Sequence, residues 1–339
     1  MGYYVTAYKK CNVSYTNMSI EDIIKVKESV RGQKVTFITE TLYSVFQMPC
    51  PPVLRYGECS RVPDDISTWY TTFRIPKRSG GYREIKAPID SLKIAQRAIL
   101  RHMQNQAKIL EHQAAYGFVK HRNCKQALEI HKANHSRWFL KLDFHNFFPS
   151  FTADILVEQL RKNAAIHYYS PATVAEIIHY CTDSDNKLVQ GAPTSPYLAN
   201  IAMIPFDHAL QNYCREQHLV YTRYADDILI SGRKSFDWRA VRHTVNVLLE
   251  THGYTGFTLA QDKTRYGNFN GANWNLGMMY NNNFDITVGH EAKHTMKVIA
   301  HKWNTLSEED KQHWKGVFAY YKYIEPEYFS QERFNVIQN

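Results

Sequence analysis

The stretch Tyr221-Thr-Arg-Tyr-Ala-Asp226-Asp227-Ile-Leu-Ile-Ser231 holds two short runs with two acids where they meet. Val220–Tyr224 and Asp227–Ser231 are rich in β-branched and aromatic residues, as strands are, and Ala225-Asp226 is left to form the turn. Adjacent carboxylates at a hairpin tip repel each other. They are comfortable there when water solvates them or when a divalent cation lies against them. Asp is a common turn residue, so a solvated turn is the plain alternative. Apolar strands on both sides, with Tyr224 two positions before Asp226, favour a buried metal-binding hairpin.

Composition points the same way. With 339 residues and 44% hydrophobic content, the chain is globular, with room for two or three subdomains. A net charge of +9 with 14% aromatic residues suggests a polyanion partner whose bases can be stacked, against the alternative of an ordinary basic protein. Cys11, Cys50, Cys59, Cys124, Cys181 and Cys214 include no C-x-x-C pair, so neither a zinc ribbon nor a thioredoxin-type site is supported. No apolar leader and no membrane-length apolar run is read, so the expected setting is a reducing cytoplasm with no membrane partner.

Outward from the hairpin, the periodicity changes several times. Ser19 followed by Glu21-Asp22 opens one helical pattern, and a second covers Thr39 to Met48 before Pro49, Pro51 and Pro52 stop it. Trp69–Ile75 alternates as a strand, Lys77-Arg-Ser-Gly-Gly81 turns, and Tyr82–Lys86 returns. The basic, glycine-containing tip suits a triphosphate or a nucleic-acid backbone, or is simply a solvated turn. Leu92, Ala95, Ile99 and Met103 are spaced as on a helix, and Asn123–Ala133 forms another. Trp138–Leu142 is a strand that delivers Asp143 at its C-terminal end. Ser195 is the expected cap, and Pro196 the first position, of a helix running toward Cys214 with a kink at Pro205. Trp238–His252 is helical, Trp274–Tyr280 strand-like beside a tight backbone approach, and the chain is helical again from Glu291.

Asp143, Asp226 and Asp227 are the acids that stand out. Two divalent cations roughly 3.5–4 Å apart, held by such a set, would serve an in-line phosphoryl transfer. Mg²⁺ suits hard oxygen ligands with phosphates completing the shell. Asp143 lies 83 residues before Asp226, so their proximity is a tertiary expectation.

Leu142-Asp143-Phe-His-Asn-Phe-Phe-Pro-Ser, Gln190-Gly-Ala-Pro-Thr-Ser-Pro, Tyr224-Ala-Asp-Asp227 and Lys263-Thr264, in that order, resemble the motif series of bacterial reverse transcriptases. The likeness is strongest to the retron and defence-associated branch, with group II intron enzymes next, and runs from Thr71 to Glu327. It implies an α+β right-hand polymerase fold. The N-terminal helical region would be 1–66, the fingers 67–139, the palm with its antiparallel sheet 140–285 (a fingers portion at about 155–190), and a short helical thumb 286–339. It also implies RNA-directed DNA synthesis from a dedicated small non-coding RNA in antiphage defence, giving an RNA–DNA hybrid, with an effector protein as a further partner. Protein-primed or untemplated synthesis, and an RNA-bound scaffold subunit, are the alternatives.

Residue by residue, the resemblance implies that Asp143, Asp226 and Asp227 hold Mg²⁺ with the Phe144 carbonyl assisting. Phe148 would exclude a 2′-hydroxyl, unless it or Phe147 is plain core. Gln190, Lys77, Arg78 and Arg83 would contact the dNTP. Lys263 would act at the pyrophosphate as an acid or a counter-charge, and Asn275–Tyr280 would be the primer grip. Asn275-Leu276-Gly277 stands where retron enzymes show Val-Thr-Gly. Gln126-Ala127 with His131 only partly matches their Asn-Ala-x-x-His element, and His131 is otherwise an ordinary core or surface histidine. Both departures favour a related antiphage enzyme. No RNase H, endonuclease or maturase extension is read after the thumb.

Overall fold

The computed structural model describes residues 62–77, 80–106, 111–162, 171–269 and 275–338. The two N-terminal helices, Cys11, Cys50, Cys59, Arg78 and Trp274 lie outside the described residues. Strands β1 (Tyr70–Pro76) and β2 (Tyr82–Pro88) precede helix α1 (Asp90–Gln106), helix α2 (Cys124–Ala133) and strand β3 (Trp138–His145). After a short helical turn at Phe147–Ser150 come four longer helices: α3 (Ala153–Arg161), α4 (Pro171–Cys181), α5 (Ser195–Ala202) and α6 (Ile204–Glu216). Then come β4 (Val220–Tyr224), β5 (Asp227–Gly232), α7 (Trp238–Thr251), β6 (Thr258–Leu259), β7 (Arg265–Asn268), β8 (Met279–Tyr280) and β9 (Ile286–Thr287). Helices α8 (Gly289–Lys302) and α9 (Glu308–Ile324) lie toward the C-terminus.

The described residues divide into two compact units, one within 62–112, 145–209 and 247–258, the other within 113–144, 210–246 and 259–338. In the first, β1 and β2 pair antiparallel, and Leu92, Ala95, Ile99 and Met103 of α1 are all buried, as their spacing predicts. The loop before α5 is stitched to β2: Lys86 N–H donates to Gln190 O (2.9 Å). Gly191, at φ +125°, comes so close that a Cβ there would meet Lys86 O at 2.7 Å. Phe147, Phe151 and Phe257 pack edge to face.

In the second unit, a sheet of order β4–β5–β3–β6, with β7 also pairing β3, carries the hairpin from which the sequence reading began. Buried Phe139 and Leu229 of this sheet share a core with Met296 of α8, Phe318 of α9, and Trp303, Phe329 and Phe334, which follow those helices. Burial of these side chains, rather than helix propensity, is what fastens the C-terminal segment.

Four local expectations are corrected. Strand β3 runs to His145, so Asp143 lies within it and not at its end; Phe144 N–H donates to Asp226 O (3.1 Å), which extends the ladder past the apolar run. Thr194, not Ser195, is the residue capping α5, with Pro196 in its first turn. The helix does not kink at Pro205; it ends at Ala202 and restarts at Ile204, leaving Pro205 in a first turn, where its missing N–H costs nothing. Of the expected Trp274–Tyr280 strand, the described part Asn275–Tyr280 is not one strand: Leu276 and Gly277, at φ 55° and 78°, turn between bridged Asn275 and Met278, and only Met279-Tyr280 pairs with β9.

Candidate active site

Antiparallel pairing of β3 with β5 sets Asp143 directly opposite Asp227. The β4–β5 hairpin closes at the Tyr224–Asp227 pair, and Ala225 takes φ 54° in the turn, the left-handed backbone conformation that tight hairpin turns favour. Asp226 therefore sits at the tip, beside the Asp143–Asp227 rung. Like charges facing each other across a ladder are destabilising, so packing alone gives no reason for this arrangement.

Both hairpin acids are half-buried, which argues against the solvated-turn alternative. Desolvation first, then the charges of Asp227 and Asp143, push the Asp226 carboxyl above the usual range. Desolvation also raises Asp227, and the ammonium of Lys141 pulls it part of the way back. Lys141 Nζ lies 3.0 Å from Asp227 Oδ1, and Lys263 Nζ donates to Asp143 Oδ1 at 2.7 Å. Desolvation weighs against the Lys263 ammonium, but its bond to Asp143 and the neighbouring carboxylates hold its pKa above that of an ordinary lysine. Lys263 arrives here because β6 and β7, on either side of its turn, both pair with β3, and Ala260 N–H donates to Asp143 O (2.8 Å).

Asp143, Asp226, Asp227 and Lys263 are thus brought together within one unit. Lys141 was missed, although its place two residues before Asp143 on a period-two strand puts it on the same face. Phe144 is buried, with its N–H on Asp226 O. Lys77, Arg83, Phe148 and Gln190 belong to the other unit. Lys77 and Arg83 are exposed on the β1–β2 hairpin, whose turn closes through Lys77 N–H to Gly81 O (3.0 Å). Phe148 is half-buried, whereas Phe147 is core.

The donor set fits a divalent cation: three hard carboxylates, two of them raised by desolvation, with Lys141 3.0 Å from Asp227 Oδ1 as a partial counter-charge. Among the described residues, no three His, Cys, Asp or Glu side chains converge closely enough to hold a metal unaided. Two of the acids instead meet ammonium groups, Asp227 that of Lys141 and Asp143 that of Lys263.

Behind the hairpin, His131 is wholly buried and bonded through both ring nitrogens, Nδ1 with Ser231 Oγ (2.6 Å) and Nε2 with Thr222 Oγ1 (2.8 Å). Helix α2 is thereby pinned to β5 and β4, and His131 is a satisfied core residue. Burial pushes its pKa from 6.5 down to about 3. Because the folded pKa is depressed, this histidine contributes stability that is full above pH 6.5 and is lost as pH falls toward about 3. Denaturant melts between these limits are expected to show wild type losing about 1.4 kcal/mol per pH unit more than His131→Asn. Parallel slopes would remove His131 from this role. Cys181 and Cys214 are buried free thiols, pushed up to about 12 by desolvation and hence unreactive.

The three-acid sheet and the surrounding mixed architecture define a right-hand polymerase. Telomerase structures share this fold: apo telomerase from Candida tropicalis superposes with a TM-score of 0.50 at 12% identity, over 69% of this chain and 52% of that one. This chain thus spans about half the length of the telomerase chain. Residues 75–308 match the family model described as reverse transcriptase (RNA-dependent DNA polymerase), and the chain belongs to that family. Relatives include the retron Ec83 reverse transcriptase of Escherichia coli, 28% identical over 78% of this chain and 86% of that protein. The retron Mx65 reverse transcriptase of Myxococcus xanthus is 31% identical over 81% of this chain and 66% of the relative. A divalent metal cofactor follows from the family.

Proposed function

We propose that the protein copies a dedicated small non-coding RNA into DNA, in the manner of a retron enzyme acting in bacterial antiphage defence. The observation that carries the reading is the Asp143–Asp227 rung with Asp226 at its edge, an arrangement that is unfavourable for folding and useful for catalysis. Retron relatives supply the RNA context.

In this reading residues 140–285 are the palm, 67–139 the fingers and 286–339 the thumb. Asp143, Asp226 and Asp227, with the Phe144 carbonyl, hold two Mg²⁺ ions. When bound, these would lower the pKa of a primer hydroxyl and neutralise charge on the departing pyrophosphate. Lys263, kept protonated by its carboxylate neighbours, offers a proton or a counter-charge to that leaving group. Lys77, Arg78 and Arg83 grip the triphosphate, and the Gln190 loop is fastened to the same hairpin through Lys86. Phe148 lies under the sugar; its partial exposure beside a fully packed Phe147 supports giving it, rather than its neighbour, that task. An effector protein as partner and a cytoplasmic location complete the proposal; among the described residues no helix is long and apolar enough to cross a membrane.

Nucleic acid that copurifies with the protein tests this. Sequencing is expected to return one defined RNA joined or paired to its complementary DNA, with the RNA part removed by RNase and the whole insensitive to protease. DNA freed only by protease would point to protein priming, and the absence of any bound nucleic acid would defeat the dedicated-template reading.

A further inference from the structure

Beneath the tip of the β4–β5 hairpin lies the segment Ala114–Gly117. It meets β4 in a short parallel pairing: Arg223 N–H donates to Ala114 O (2.7 Å) and Tyr116 N–H to Arg223 O (2.8 Å). From the other side Arg122 Nη1 donates to Ala115 O (2.7 Å), so the segment is held at both edges. Arg223 is wholly buried, and its Nη1 donates to Ala225 O (3.1 Å). A guanidinium without exposed surface is costly to bury and is retained only where its donors are used. Here one of them fixes the carbonyl of the residue that immediately precedes the two acids.

Gly117 then passes under the turn itself. A Cβ at this position would stand 2.4 Å from Ala225 N, 3.0 Å from the Tyr224 carbonyl carbon and 3.2 Å from Ala225 Cα. All three are backbone atoms, which no change of rotamer can move. The φ of Gly117 is not among the positive ones, so glycine is required here for space and not for backbone freedom. A side chain here forces the Ala114–Gly117 segment and the turn apart, and as the turn yields, the carboxylates travel with it.

We infer that Gly117 is a positioning residue for nucleotide transfer: the turn carrying Asp226 and Asp227 is seated on its bare backbone, and buried Arg223 clamps the turn from within. This rests on the reading of Asp226 and Asp227 given above. Displacement on the scale of an ångström at reacting groups costs up to about a hundredfold in rate, whereas binding surfaces remote from the turn are untouched.

The test is the single-turnover rate of adding one dNTP to enzyme already bound to an RNA-template–DNA-primer duplex, with nucleotide and duplex affinities measured alongside. Reading only bound molecules keeps any unfolded fraction out of the rate. Gly117→Ala is expected to lose at least about tenfold in that rate, with both affinities within about twofold of wild type. Gly267→Ala is the control, since a Cβ at this strand glycine meets nothing within 4 Å, and it should match wild type. Arg223→Lys keeps the charge, loses the planar fork and adds no volume at the turn; the same rate-only loss is expected, and it decides the matter should Gly117→Ala not fold. Wild-type rates in these variants, or losses confined to affinity, would overturn the inference. Full activity of Asp227→Asn measured in parallel would instead overturn the reading of the carboxylates.

Discussion

Replacing Asp226 and Asp227 together by Asn abolishes dNTP incorporation and leaves RNA affinity largely intact: this is the expected result with the largest effect. The substitution preserves shape and removes both hairpin charges. Loss of the charge stabilisation that a carboxylate-held cation gives an in-line transfer is worth several kcal/mol, about a thousandfold or more in rate. Folding should not suffer. Both acids carry raised pKa values in the folded state, caused first by desolvation, so at neutral pH their ionised forms oppose folding and the opposition grows as pH rises through the folded pKa. The double variant is therefore expected to melt no lower than wild type, although Lys141 loses its partner. Primer extension, RNA binding by filter retention and thermal melting measure the three quantities. Full synthesis by the variant would sink the mechanism.

The second concerns the sugar. Phe148→Ala is expected to raise the ratio of rNTP to dNTP incorporation by about tenfold to a hundredfold. Forcing an extra oxygen against an aromatic ring costs about 1–3 kcal/mol, and removing the ring removes that penalty for ribose alone. Phe148 is half-buried, whereas Phe147 packs against Phe151 and Phe257, so truncating Phe148 creates less of a core cavity than truncating its neighbour. Competition between labelled rNTP and dNTP on one template gives the ratio directly. An unchanged ratio would take Phe148 out of the role.

Much of the local structure was legible because it is written in short-range pattern. The period-two runs around Asp226-Asp227 became β4 and β5, and Leu92, Ala95, Ile99 and Met103 became the buried stripe of α1. What pattern could not show was set by partners. Strand β3 outruns its apolar stretch because Phe144 finds Asp226 to pair with. His131 looked free to face either solvent or core; only the folded positions of Thr222 and Ser231, 91 and 100 residues away, make it a buried tie. Lys141 carried no signal of its own; its role appears only once the β3–β5 register sets Asp227 diagonally from it, within 3.0 Å.

By itself, then, the sequence determined the order of the motifs, the hairpin and the acids that belong to it. A strand's burial pattern and a turn's chemistry depend on neighbours a few residues away, and those are fixed by the chain. Only the tertiary structure decided that Asp143 faces Asp227, that Lys263 reaches them from the turn between β6 and β7, and that Gly117 leaves room beneath the tip. Register between strands distant in sequence follows from how their faces pack once long loops have closed, and no local periodicity carries that information.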